Sequence, residues 1–243
     1  MGGRPRRISD IQAPVECEVR KMVKRDKPLV LTVSPLCIVF SNANQGPICR
    51  REMAEAKELM RFAVEMCDLQ LRADAHFVFE QPLTSRAWAL EPVMKLAATE
   101  DVIATEFHQC MYGLTAHDHL GSAPAYKPTR VLTNHPTLAE VLTRRCDGSH
   151  RHAQLVGKSA CTRAAQYPYE LCKSILDATA VIKRHRDEQG AYALEGEGIH
   201  GVCGESPAKG PTTEPVQALH QAELEDVPGR RKLVVARRST RRS

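Results

Sequence analysis

Pro28-Leu29-Val30-Leu31-Thr32-Val33-Ser34-Pro35 is the stretch on which the fold turns. Leu29 to Val33 form a continuous apolar, β-branched run between two prolines, and a short run of this kind reads as a strand covered on both faces. Such strands belong to parallel sheets, so a parallel strand is expected. Downstream, Met53, Leu59, Met60, Ala63, Met66, Cys67 and Leu71 recur at helical intervals from Arg51 to Leu71, with no Gly or Pro between them. His76-Phe77-Val78-Phe79 reads as a second strand, Arg86 to Ala98 as a second helix with Pro92 near its start, and Asp101 to Glu106 as a third strand. Strand, helix, strand, helix, strand predicts an α/β fold: a mostly parallel sheet with right-handed crossovers, flanked by helices.

Upstream, Val15, Val19 and Val23 predict a short helix over Val15 to Lys24, stopped by Asp26, Lys27 and Pro28. Beyond the third strand, a polar loop rich in Gly and Pro runs from Tyr112 to Pro128. A fourth strand is expected over Thr129 to Thr133, and helices over Pro136 to Arg144 and Pro168 to Arg184. From His185 the composition shifts to Gly, Pro, Glu and Thr with little periodicity, which predicts disorder. The expected organisation is a basic leader with a short helix over 1–27, an α/β domain over 28–184 and a disordered, basic-ended tail over 185–243.

A chain of 243 residues with 42% hydrophobic and 26% charged residues has the composition of a globular domain rather than a disordered one. No apolar run reaches the roughly 20 residues of a membrane span, and the start MGGRPRRISD lacks the apolar stretch of a signal peptide. An intracellular protein without a membrane partner is expected. The nine cysteines contain no CxxC pair, which speaks against a disulfide framework. Arg4, Arg6 and Arg7 crowd one end, and Arg230, Arg231, Lys232, Arg237, Arg238, Arg241 and Arg242 the other. Such clusters attract phosphate backbones, although a solvated basic tail has the same composition.

Two segments place polar chemistry where buried strands end. Cys37 follows the first strand and Glu80 the second, one strand–helix–strand step later, so both are expected at the carboxyl edge of the sheet, where α/β folds gather function. Cys37 has the position of a nucleophile and Glu80 that of a carboxyl partner. A third group, Cys146, His150 and His152, offers three metal-capable side chains within one loop. Tetrahedral zinc needs a fourth ligand, from Cys110 or His108; the alternative is a polar surface loop.

Pro35-Leu36-Cys37-Ile38-Val39-Phe40-Ser41 resembles the Pro-Pro-Cys-x-x-Phe-Ser motif of DNA cytosine-5 methyltransferases, and Phe79-Glu80-Gln81-Pro82 is similar to their later Glu-Asn-Val motif. Lys127-Pro128-Thr129-Arg130-Val131-Leu132-Thr133-Asn134 is similar to a Lys-Pro-Thr, Thr-Asn stretch of phage-type and retroelement-borne members. The segments His108 to Gly113 and Cys146 to His152 resemble those that flank it in mobile-element polyproteins. The resemblance covers about Pro28 to Leu176 and implies a partial Rossmann-like methyltransferase sheet. It also implies that Cys37 adds to carbon 6 of a flipped cytosine, that Glu80 hydrogen-bonds ring nitrogen 3, and that Lys127 and Arg130 contact DNA phosphates. S-adenosylmethionine is the donor in the complete family. Its Gly-containing loop has no counterpart ahead of Cys37, so the chain reads as a fragment that neither binds the donor nor methylates alone. Leu36, Ile38 and Gln81-Pro82 depart from the motifs. A non-catalytic nucleic-acid-binding remnant of such a polyprotein, or a remnant without a retained role, are the other readings.

Overall fold

The computed structural model describes residues 8–41, 47–155 and 164–196, with side chains described within 14–189. All of these lie in the first of two units, Met1–Gly198. The basic clusters at the two ends, and the expected disordered tail from residue 197 onward, lie outside the described residues.

In chain order the elements are α1 (Ile8–Asp26), β1 (Val30–Val33), α2 (Arg50–Arg72), β2 (His76–Pro82), α3 (Glu91–Ala97), β3 (Ile103–His108), β4 (Thr115–Asp118), β5 (Gly121–Pro124), β6 (Pro128–Thr133), α4 (Pro136–Val141) and α5 (Tyr169–Gly196). Helix α2 starts at a capping box, in which the Cys49 sulfur accepts from the Glu52 N–H and the Glu52 carboxylate accepts from the Cys49 N–H. No described helix is long and apolar enough to cross a membrane.

Strand β2 organises the core because its side chains alternate between two helical layers. Phe77 and Phe79 join Met60, Val64 and Cys67 of α2 and Val93 and Leu96 of α3. Val78 points the other way, into a cluster with Leu138 of α4 and Leu171, Ile175 and Ile182 of α5. Burying an aromatic side chain of this kind contributes about 1.5–3 kcal/mol. Two amides, the buried Gln70 and the half-buried Asn134, close the strand's amino end. Gln70 donates to the Pro28 and His76 carbonyls, and Asn134 both accepts from Phe77 N–H and donates to the Ala75 carbonyl, each at 3.0 Å for Asn134.

The mostly parallel sheet expected from the sequence is corrected. The order is β1-β2-β6-β3, and only the β1–β2 pairing is parallel; β6 is antiparallel to both β2 and β3. Strands β1, β2 and β3 do share one direction, as their intervening helices require. The α3 crossover, however, leaves a vacant position between β2 and β3. The connection from β3 to β6 leaves and re-enters the sheet at the same edge, where His108 pairs with Pro128. With no helix to carry it across, β6 fills the gap in the reverse direction.

Other expectations shift for local reasons. Strand β1 is not covered on both faces: it lies at the sheet's edge, half-buried, with Thr32 exposed. The helix expected over Arg86 to Ala98 divides into a 3-10 turn and α3, because Leu90 is extended ahead of Pro92. The loop from Tyr112 to Pro128 contains the β4–β5 hairpin. Helix α5 continues past Arg184 to Gly196, so the domain boundary expected at 185 falls inside a helix.

Candidate functional site

Because β1, β2 and β3 run the same way, their carboxyl ends share one edge, and β6 begins there. Cys37 follows β1 and Lys127 precedes β6, whereas Glu80, expected after the second strand, lies within β2 two residues short of its end because the ladder with β6 runs on to Pro82; the cysteine–histidine loop joins them through β3.

Cys37 caps a 3-10 turn, Ile38–Phe40, and is half-buried. Three contacts fix the turn. Phe40 is buried in the core shared with α2 and α3, Arg86 donates to the Val39 carbonyl at 3.0 Å, and Gln81 Nε2 donates to the Pro35 carbonyl at 2.7 Å. Gln81 is itself buried and accepts from Ser85 Oγ at 3.2 Å. Leu36 and Ile38, on either side of Cys37, are exposed.

Glu80 shares the orientation of Val78 and is 6% exposed. Its Oε2 accepts from the Tyr167 hydroxyl at 3.3 Å, and that hydroxyl is hydrogen-bonded to Ser34 Oγ on the β1 side. Oε1 is buried and has no hydrogen-bond partner among the described residues. Burial holds the carboxyl above its ordinary range, against the opposing pull of Lys127 and of hydrogen bonds from Tyr167 and Ser34. Burial likewise raises the Tyr167 phenol, and the adjoining Glu80 adds to the shift.

The two basic residues separate. Lys127 Nζ donates to the Ala164 carbonyl at 3.0 Å, with its charge near Glu80. Arg130 lies within the sheet, donating through Nε and Nη2 to Glu106 on β3 and lying over the Trp88 ring. Arg145 contacts the other Glu106 oxygen, and the pair of arginines holds that carboxylate below its ordinary range. Arg130 is therefore part of a cross-strand ion pair, whereas Lys127 faces the Glu80 end.

Cys146, His150 and His152 come together with Cys110 as the fourth member, and the ligand atoms all lie within 4.8 Å of one another. Cys146 Sγ is 3.6 Å from His150 Nε2 and 3.4 Å from His152 Nε2. Burial and the neighbouring Cys146 push the Cys110 thiol up to about 11. His108, the other candidate, is engaged elsewhere: its Nδ1 accepts from Cys146 N–H at 2.9 Å and its Nε2 faces the Tyr126 hydroxyl at 3.4 Å.

Sequence reasoning missed Tyr167 and the part played by Gln81. Tyr167 lies 87 positions from Glu80, in a polar connection without periodicity, and no spacing rule links them. Gln81 stood out only as a departure from a motif. For the donor, the turn after β1 is Ser34-Pro35-Leu36-Cys37, without glycine, so the residues there do not fit a cradle for S-adenosylmethionine. This chain matches no family model, and neither curated proteins nor solved structures include one with significant similarity to it.

Proposed function

We propose that this chain carries the base-handling chemistry of a DNA cytosine-5 methyltransferase-like reaction. The observation that carries the reading is Glu80: a buried carboxyl with one oxygen unpartnered, near the end of a strand whose parallel neighbour delivers Cys37. The partial Rossmann-like reading rests on this β1–α2–β2 unit rather than on the sheet as a whole.

Cytosine nitrogen 3 is an acceptor, so a carboxyl that serves it must hold a proton, which burial of Glu80 favours. The Cys37 thiolate forms a bond to carbon 6 while the Glu80 proton is shared with nitrogen 3. The displaced electron pair makes carbon 5 nucleophilic. Glu80 Oε1 is out of contact with solvent, so the surrounding side chains must part for an extruded base to reach it. Lys127 is placed to offset charge at this edge, and DNA is the partner class that the chemistry requires. A purely scaffolding, nucleic-acid-binding remnant has no use for an orphaned, buried carboxyl oxygen. Zinc is the one cofactor retained in this reading, with no part in the chemistry at carbon 6.

Addition without a donor has its own readout. Once Cys37 has added, carbon 5 takes a proton from water, loses its original hydrogen, and the sulfur–carbon bond breaks. DNA carrying tritium at cytosine carbon 5 is therefore expected to release label into water, and Cys37→Ala and Glu80→Gln to abolish the release. Release that persists in Cys37→Ala, or no release from the unmodified chain, refutes the reading. Calorimetry with S-adenosylmethionine is expected to show no binding near micromolar affinity, about −8 kcal/mol. Methyl transfer by this chain that is lost in Cys37→Ala would overturn the absence of a donor site.

A further inference from the structure

We propose that Cys110, Cys146, His150 and His152 form a closed, structural zinc site, and that the lobe comprising β4, β5 and the loop through residue 155 depends on it to fold. The inference is independent of the cytosine chemistry.

The geometry comes first. Zinc–sulfur and zinc–nitrogen bonds of about 2.3 and 2.05 Å in a tetrahedron place sulfur and nitrogen ligands about 3.6 Å apart. The two sulfur–nitrogen separations at Cys146, 3.6 and 3.4 Å, match that edge, and the complete set converges within 4.8 Å. The Cys146 sulfur faces two imidazole nitrogens and also accepts from Gly148 N–H at 3.3 Å. Two thiols and two imidazoles converging at these separations suit a bound cation. The loop is shaped for the purpose, since Gly148 turns it with φ +80° and thereby returns His150 and His152 toward Cys146.

The surroundings supply the second shell. His108 fixes the loop by accepting from Cys146 N–H, and the Tyr126 ring packs against both His108 and His152. Two cysteines and two histidines complete a tetrahedron, so no position remains for water or substrate, which separates a structural site from a catalytic one.

The lobe's need for a metal follows from its core. Among the described residues its buried apolar side chains are Leu114, Ala123, Ala125, Ala153 and Ala164, with Ala116 and Leu155 packed alongside. Four of these five side chains are a single methyl group, too little apolar surface to order a hairpin and a long loop. The ligands span that gap. Cys110 follows β3 in the main sheet, while the loop carrying the other three goes on to hold the hairpin through Arg151 with Asp118 and through Ala153 N–H with the Pro124 carbonyl.

The full chain, expressed in a reducing cytoplasm and purified without chelator, is expected to contain near-stoichiometric zinc. Replacement by Co(II) should give the intense visible bands of a tetrahedral ion together with sulfur-to-cobalt charge transfer, a result that needs no variant to fold. Cys146→Ser and His152→Gln are expected to lose the metal, and His108→Gln to keep it. Chelation should increase backbone hydrogen exchange in residues 112–126 and 144–155 while leaving β2 protected. Trace zinc after purification in zinc-supplemented buffer, an octahedral cobalt spectrum, or a Cys110–Cys146 disulfide seen as an intact mass lower by two hydrogens would each overturn the proposal.

Discussion

Replacing Gln81 with Met removes the link between β2 and the Cys37 loop while nearly preserving side-chain volume. Two hydrogen bonds disappear: Nε2 to the Pro35 carbonyl at 2.7 Å, and Ser85 Oγ to Oε1 at 3.2 Å. A buried polar group left unpaired costs about 1–3 kcal/mol. The Ser85 oxygen retains its bond from Ala87 N–H, and Pro35 is only half-buried, so both losses belong toward the low end. Their sum is about 2–4 kcal/mol. For a domain of this size 1 kcal/mol moves the melting midpoint by about 2–4 °C, so Gln81→Met should melt about 4–16 °C below the parent. The same change frees the backbone ahead of Cys37, so alkylation of Cys37, followed by peptide mass spectrometry, should accelerate relative to Cys172 in the same molecule. A variant within about 0.5 kcal/mol of the parent, with an unchanged Cys37 rate, would show that Gln81 does not hold the loop.

Glu80→Gln tests the buried carboxyl through pH. Because burial raises the folded-state value, the parent binds more protons folded than unfolded between the unfolded and folded values; its stability therefore falls as pH rises through that window and is level above it. The amide carries no such penalty, so its stability relative to the parent should improve from pH 4 to pH 8 in denaturant titrations, and a gap independent of pH would refute the assignment. Asn134→Leu removes both bonds that close β2 and should cost about 2–4 kcal/mol. Equal stability would mean that water replaces the amide.

The sequence was most legible where one period governs a whole element. Helix α2 was expected over Arg51 to Leu71 and spans Arg50–Arg72, because nothing within it competes with the apolar repeat. The β1–α2–β2 unit was equally readable, since two apolar strands joined by one long helix leave few arrangements. The position of β6 was not readable: its pattern fits either direction, and its insertion between β2 and β3 is decided by where the preceding connection re-enters. The β4–β5 hairpin escaped because its strands are four residues each, of Thr, Ala, His and Asp and of Gly, Ser, Ala and Pro, with no large apolar residue to set a period. At the site, Cys146, His150 and His152 were legible from their spacing, but the choice of Cys110 over His108 required the backbone contact that occupies His108. Arg130 had the look of a phosphate contact, and only the register opposite Glu106 shows the ion pair that engages it.

The two margins of the sheet differ in kind. Along β3, the segment after α4 lies against the strand: Arg144 accepts from His108 N–H, Leu142 accepts from Thr105 Oγ1, and Arg145 reaches Glu106. Along β1, no strand among the described residues takes up the outer backbone groups. A sheet that is sealed on one side and free on the other lengthens in one direction only. Two such chains joined through β1 would each use up the margin that the other needs, and a third would find only sealed strands. Any pairing through this sheet would therefore be self-complementary, one β1 against another.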